Sequence, residues 1–368
     1  MKKTTAIILV GIISMFADSF ACSAFLLKTG DQCIIGFNEN WKSMPGIVAV
    51  NKRNVKKTSL SWEALTFPST SQDKKITWVT KYGSVSFNLL GIDLPCYGVN
   101  EKGLFIVELF LDKTFSKPDP TKAEMFWAQW IQFQLDNYAT VAEVLENLPN
   151  APVIDWWPTF PGSHFYLADK LGNTAAIEQI DREFQVSSSS TMPIPVLCNE
   201  PYQKDLNQTR GYKFMSGDTR FNQNTTEWND RFAKTTYLLN SYDPEISPVD
   251  YSWKVLNSIY PGEWQLVADL TNETLYFRSD EGTEIKELNL ADCNFDDPSR
   301  IEYIDINSKL KGRVNNELKI LTPDINDQYV DKGFVIGYVN DAFPGSDDHK
   351  NIRKNLRKHM NNLNQGVE

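Results

Sequence analysis

The chain predicts a layered α+β domain. Three patterns carry that reading: strand-length apolar runs separated by turn residues before any long helix, a pair of helical segments in the middle, and a return to strands after further helices. The composition, with 41% hydrophobic and 23% charged residues in 368, is that of a globular protein large enough for one big domain or two small ones.

The elements follow in order. Residues 1–21 read as a secretory signal: Lys2 and Lys3, an apolar run from Ala6 to Phe16, then small residues at Ser19 and Ala21. Cleavage there makes Cys22 the first residue and predicts a periplasmic or secreted protein. Lipoprotein processing is the competing reading, but its cleavage pattern fits Ser19 and Phe20 poorly, and acylation would consume the amine of Cys22. The apolar run falls short of the roughly 20 residues that span a bilayer, and no later stretch is long enough, so no membrane span is expected.

From Cys22 the pattern is strand, turn, strand: Ser23 to Leu27, the turn Thr29-Gly30-Asp31, then Cys33 to Phe37. Strands are also predicted at Ile76 to Thr80, Ser84 to Leu90 and Leu104 to Phe110, the last after the turn Asn100 to Gly103. Helices are predicted over Lys122 to Asn137 and from the capping box Thr140/Glu143 to Leu148. Strands return at His164 to Asp169 and Thr174 to Ile180, helices at Asn229 to Asn240 and Val249 to Ile259, and strands at Trp264 to Leu270, Thr274 to Arg278 and Glu284 to Leu290. Beyond Asp297 the pattern weakens; residues 294–368 are expected as an extension packed on the domain spanning 22–293. Five cations between Lys350 and Lys358 read as the solvated face of a helix.

The net charge of −10 argues against nucleic acid as a partner. Five scattered cysteines, Cys22, Cys33, Cys96, Cys198 and Cys293, contain no C-x-x-C pair, which argues against a zinc ribbon or redox motif; no structural disulfide, metal or cofactor is expected. Only three histidines occur, His164, His349 and His359. Serine and cysteine hydrolases with a histidine base, and zinc hydrolases with several histidine ligands, draw on a residue type that is scarce here. His164 reads as structural.

A leading cysteine supplies its own base. A free α-amine has a pKa near 7.7–8.0 and lies close enough to take the thiol proton directly or through one water. The thiolate can then attack an amide carbonyl, form a thioester and expel an amine.

Six motifs in order resemble a known family: Cys22-Ser23-Ala24-Phe25, Gly36-Phe37-Asn38-Glu39-Asn40-Trp41, Gly98-Val99-Asn100-Glu101-Lys102-Gly103-Leu104, Gln134 to Val144, Val196-Leu197-Cys198-Asn199-Glu200-Pro201 and Arg231-Phe232-Ala233-Lys234. Trp264 to Val267 and Thr274 to Phe277 are similar to its closing strands. The family is that of choloylglycine hydrolase and penicillin V acylase, N-terminal-nucleophile linear amide hydrolases. The resemblance implies a four-layer αββα sandwich of two antiparallel sheets flanked by helices. It also implies a small acyl amide as substrate (bile salt, penicillin V or N-acyl homoserine lactone type) and leaves a homotetramer open.

By the same resemblance, Cys22 is the nucleophile, Asn199 and Asn100 form the oxyanion hole, and Arg231 supports the nucleophile. Asn40 stands where the family has an aspartate that orients the amine, and Phe37 where it has an arginine; Phe37 and Trp41 are placed at the acyl-binding wall. Loss of that arginine and aspartate keeps a second function open, that of a non-catalytic ligand-binding relative, lipid-anchored if Cys22 is acylated. An acyltransferase, with an amine replacing water in the second half-reaction, is a third.

Overall fold

The computed structural model describes residues 21–40, 43–66, 74–112, 119, 121–155, 162–180, 183–260, 262–335 and 347–363. Residues 1–20 of the leader and Trp41 lie outside them.

In chain order the first ten strands are β1 (Ser23–Thr29), β2 (Gln32–Glu39), β3 (Ile47–Asn51), β4 (Lys56–Thr58), β5 (Thr77–Val79), β6 (Ser84–Asn88), β7 (Pro95–Asn100), β8 (Leu104–Phe110), β9 (Glu124–Phe126) and β10 (Val153–Asp155). The remaining ten are β11 (Ser163–Asp169), β12 (Thr174–Ile180), β13 (Glu183–Ser188), β14 (Val196–Leu197), β15 (Trp264–Asp269), β16 (Thr274–Ser279), β17 (Lys286–Asn289), β18 (Glu302–Asp305), β19 (Gly312–Arg313) and β20 (Lys319–Ile320). The helices are α1 (Trp62–Thr66), α2 (Trp127–Asn137), α3 (Val141–Asn147), α4 (Tyr202–Arg210), α5 (Arg231–Asn240), α6 (Pro248–Ser258), α7 (Pro323–Val335) and α8 (Asp347–Leu363).

Two large sheets face each other. One has seven strands in the order β14-β1-β2-β15-β16-β17-β19, the other nine in the order β13-β12-β11-β8-β7-β6-β3-β18-β20. All pairings in them are antiparallel except β17 with β19, a parallel edge pair that the sequence reading did not foresee. Aromatic side chains knit the inner faces: Phe37 meets Tyr97 edge-on with centroids 4.8 Å apart, and Phe87 meets Phe277 at 5.4 Å.

Helices cover both outer faces. On the seven-stranded sheet, Asn38 Nδ2 donates to the carbonyls of Leu256 and Tyr260, tying β2 to the end of α6. On the nine-stranded sheet, Trp130 of α2 packs on Phe165, and Leu135 fills the space over Gly98. The result is the αββα layering.

Local sequence explains the hairpin that carries Cys22. Gly30 takes φ +54° in the turn, and the register then pairs Phe25 with Gly36. A Cβ on Gly36 would lie 2.1 Å from the Phe25 ring, so only glycine lets that ring cross its partner strand.

Several expectations are adjusted. The helix expected from Lys122 begins at Trp127 because Glu124–Phe126 is drawn into a short parallel pair with Val153–Asp155. The capping box forms with one change: Thr140 Oγ1 accepts from Glu143 N at 3.2 Å, while Glu143 Oε2 accepts from Ala139 N rather than Thr140 N. Past Asp297 the chain gives β18 and β20 to the nine-stranded sheet and β19 to the other. Helix α8 then packs on α1 and α7, burying Ile352 and Leu356.

Candidate active site

Cys22 immediately precedes β1, in a backbone the hairpin holds firmly. Ser23 pairs with Asn38, and beyond that pair Ala21 N donates to Asn40 O at 3.4 Å. The Asn40 backbone N–H donates to the Cys22 thiol. Cys22 is 7% exposed and shares the inner face with Ala24 and Phe37, because side chains two apart on a strand point the same way.

Arg231, the first residue of α5, organises the outer side of this strand end and is itself buried. Its Nη1 donates to Cys22 O at 2.5 Å and to Ser23 Oγ at 3.0 Å, its Nη2 to Asn199 Oδ1 at 2.8 Å, and its Nε to Trp228 O at 2.9 Å. A planar guanidinium can serve these directions at once; a lysine ammonium could not span them. Asn199 Nδ2 donates to Phe110 O at 2.8 Å, which joins the end of β8 to the same cluster. Its amide carries a second hydrogen, so a donor role is chemically available.

Electrostatics around the sulfur run against easy ionisation. Burial pushes the Cys22 thiol well above its ordinary range, and Glu39 and Glu108 push it further; the Asn40 N–H and Arg231 act the other way. Glu39 is itself raised well above the usual carboxyl range by burial, then by Glu108. Glu108 is raised to about 7 by burial, against the Ser163 hydroxyl bonded to it. Cys198 is pushed up to about 11 by burial, with its thiol 3.5 Å from Ser23 Oγ.

Of the residues chosen from sequence, Cys22, Asn40, Asn199 and Arg231 meet here. Asn40 Nδ2 donates to Tyr260 O at 3.2 Å. Asn100 does not join them. It sits at the far end of β7, about 13 Å along the strand from Cys96 at ~3.3 Å per residue. Its amide is spent on that turn: Nδ2 donates to Leu135 O and Tyr138 O, and Oδ1 accepts from Lys102 N and Leu104 N. Asn100 is therefore a turn residue, and Phe110, at the opposite end of β8, stands beside Asn199 instead. Phe37 also departs from expectation: at 1% exposure, pressed on Tyr97, it belongs to the inter-sheet core and offers no wall to a ligand. Trp41 lies outside the described residues.

Sequence reasoning missed Glu39, Glu108, Cys96 and Tyr97 as neighbours of the sulfur. One signal could have found Glu39: counting outward from the Gly30-Asp31 turn places it opposite Cys22. The others come from the second sheet, which no local pattern aligns with the first. His164, read as structural, is fully buried, with its ring nitrogens on Glu178 Oε1 at 3.0 Å and Cys198 O at 2.7 Å. All five cysteines are free thiols. Among the described residues no three His, Cys, Asp or Glu side chains could hold a metal ion together, and no helix is long and apolar enough to cross a membrane.

Residues 57–239 match the model of the linear amide C–N hydrolases, choloylglycine hydrolase family. The chain belongs to this family. Its matched stretch includes Asn199 and Arg231 and begins after the hairpin that carries Cys22. Among curated relatives, the chain is 29% identical over 182 residues to penicillin V acylase of Pectobacterium atrosepticum, covering 46% of this chain and 48% of that one. It is 27% identical over 161 residues to bile salt hydrolase/transferase of Clostridium perfringens, covering 40% and 48%. The chain thus spans about half the length of the curated relatives it matches. The fold is that of family members of known structure: penicillin V acylase from Agrobacterium tumefaciens superposes with a TM-score of 0.69 at 20% identity, covering 82% of this chain and 98% of that one. For a mutant of conjugated bile acid hydrolase from Clostridium perfringens the TM-score is 0.63 at 18% identity, with 79% and 98% covered.

Proposed function

We propose that this chain is an exported cysteine amidohydrolase that cleaves linear carbon–nitrogen amide bonds through an acyl-thioester on Cys22. The observation that carries the reading is the buried Arg231 bridge, which links the Cys22 backbone to Asn199 and fixes nucleophile and amide donor relative to one another. In this scheme, signal cleavage before Cys22 frees the α-amine and delivers the protein to the periplasm or the medium. The thiol passes its proton to that amine, directly or through one water, sulfur attacks the carbonyl carbon, and the oxyanion is stabilised by the spare Asn199 hydrogen. The C–N bond then breaks with protonation of the leaving amine, and water releases the acid. The names of the relatives support an acyl amide of the penicillin V or bile salt type as substrate.

A second reading, a ligand-binding relative without turnover, is favoured by one observation: the thiol is buried, and that burial, followed by Glu39 and Glu108, pushes it above its ordinary range. The two are separated by assaying mature protein, with the N-terminal Cys22 verified by mass, on penicillin V, glycine- and taurine-conjugated bile acids and acyl homoserine lactones. Turnover that disappears in Cys22→Ala supports the enzyme. Binding without turnover across the panel, or turnover unaffected by Cys22→Ala, rejects the assignment.

A further inference from the structure

We infer that Glu39 and Tyr97 form a polar acyl-binding subsite, built for an acyl chain that carries a hydroxyl on the second carbon beyond the scissile carbonyl, as in a 3-hydroxyacyl amide. The inference rests on Cys22 being the nucleophile and names the acyl class its site would hold. The placement of Glu39 follows from the hairpin register. Ser23 pairs with Asn38, so the next pair outward is Cys22 with Glu39. Directly opposed residues of an antiparallel pair leave the sheet on the same side, with Cβ atoms roughly 4.5–5.5 Å apart. That side is the inter-sheet space, because Phe37, two residues before Glu39, reaches Tyr97 of the facing sheet. On the facing sheet the register slips between Phe87 and Asn88, which leaves Cys96 with no opposite residue, and its thiol is aimed at the Glu39 carboxyl.

Two buried oxygens in this space are open. Glu39 is 6% exposed, and apart from the Cys96 thiol, a weak donor, its Oε2 has no partner among the described residues. The Tyr97 hydroxyl is fully buried and has none either. Burial, then Glu39, Cys96 and Cys22, holds that hydroxyl well above its ordinary range, which sets the four groups in one neighbourhood. Buried polar atoms in native structures are nearly always satisfied, so two open ones beside a nucleophile mark the seat of a polar group on the substrate.

The chemistry of the pair selects that group. Burial, then Glu108, raises the Glu39 carboxyl well above its usual range, so at neutral pH it is an uncharged acid with one O–H to donate and an oxygen to accept. The Tyr97 hydroxyl also does both. An uncharged hydroxyl on the substrate complements the two, whereas a plain hydrocarbon chain leaves both unpaired. The flank decides which part of the amide they meet. Asn199, the oxyanion donor of the proposed mechanism, directly follows β14, which lies on the other side of β1 from β2. The oxyanion therefore leans away from Glu39. The leaving amine has to escape before water enters, so the enclosed flank belongs to the acyl chain, which stays on sulfur until the end. Atoms a few bonds beyond the carbonyl carbon then fall within reach of a carboxyl that stands opposite Cys22.

The test reads binding and turnover separately, on mature protein. Titration calorimetry of Cys22→Ala with N-(3-hydroxyoctanoyl)-homoserine lactone and N-octanoyl-homoserine lactone reads the subsite without the sulfur. The hydroxylated ligand should bind about 10-fold or more tightly, the worth of one buried hydrogen bond. Adding Glu39→Gln keeps a donor and an acceptor and keeps the preference. Adding Glu39→Met keeps the length, removes both, and brings the two ligands to within about twofold. Equal binding with Glu39 in place, a preference that survives Glu39→Met, or no binding of the hydroxylated ligand overturns the subsite. If Glu39→Met does not fold, Tyr97→Phe, which deletes one of the two oxygens, lowers the preference several-fold; an unchanged preference overturns the proposal. Cys22-dependent hydrolysis with equal kcat/KM for both ligands rejects the subsite and keeps the nucleophile. A binding preference together with hydrolysis that persists in Cys22→Ala rejects the nucleophile and keeps the subsite.

Discussion

Arg231 and Asn199 form one buried unit: Nη2 of the arginine donates to Oδ1 of the asparagine at 2.8 Å, and the asparagine's Nδ2 is thereby turned to donate to Phe110 O. The same guanidinium holds Cys22 O, so the strand end, the facing strand and the helix start are locked through one side chain. Asn199→Asp keeps the acceptor for Arg231 and removes the donor. We expect it to retain its melting temperature more closely than Asn199→Ala and to lose about 10²–10³ in kcat, read on whichever amide the panel identifies.

Arg231→Lys cannot reach all four acceptors. Leaving buried oxygens unpaired costs on the order of 2–3 kcal/mol in denaturant unfolding. Because Arg231 lowers the Cys22 thiol pKa, labelling of Cys22 by iodoacetamide should also slow at constant pH. Faster labelling would contradict the electrostatic role given to Arg231.

Stability should depend on pH through the buried carboxyls. Glu108 is raised from 4.5 to about 7, and Asp205 from 3.8 to about 7, both chiefly by burial. A carboxyl with a raised folded-state pKa favours the fold while protonated. Its contribution is complete below the unfolded value and is lost as pH rises toward the folded value. For Glu108 that window runs from pH 4.5 to about 7, and the loss is on the order of 3 kcal/mol at most. Glu108→Gln should flatten the melting-temperature profile across this window and be more stable than wild type at pH 8. An unchanged profile would show that the carboxyl is solvated.

Lys57 is a structural cation. Its Nζ sits 2.6 Å from Asp93 Oδ1 and 2.9 Å from Asp136 Oδ2, with all three side chains buried. Burial alone would raise Asp93, but Lys57 and His359 outweigh it and hold that carboxyl well below the usual range. Lys57→Met strands two carboxyls in the core and should cost about 3–5 kcal/mol in unfolding. A near-neutral effect would mean that the acids are neutralised by protons instead.

His359 extends that cluster to the last helix, with Nε2 2.8 Å from Asp93 Oδ2. Leu356, 4% exposed on the same helix, fills the core beneath it. Leu356→Ala should lower stability by about 2–4 kcal/mol and expose the chain near α8 to protease, with amide turnover intact in the folded fraction.

Local pattern was enough to read the alternation of strand and helix blocks, the hairpin that bears Cys22, and the ordered motifs that include Asn199 and Arg231. These are local properties: an apolar period, a turn residue, a capping pair. It also contained the Cys22–Glu39 register, since one turn fixes every pair of a hairpin. Tertiary structure alone decided which residues of the second sheet face the sulfur. Asn100 and Phe110 bracket the same strand, and nothing local says which end meets Asn199; only the stacking of two sheets and the placement of α5 do. Phe37 shows the same limit, because whether an apolar residue beside a nucleophile lines a cavity or fills a core depends on what packs against it, and here Tyr97 does.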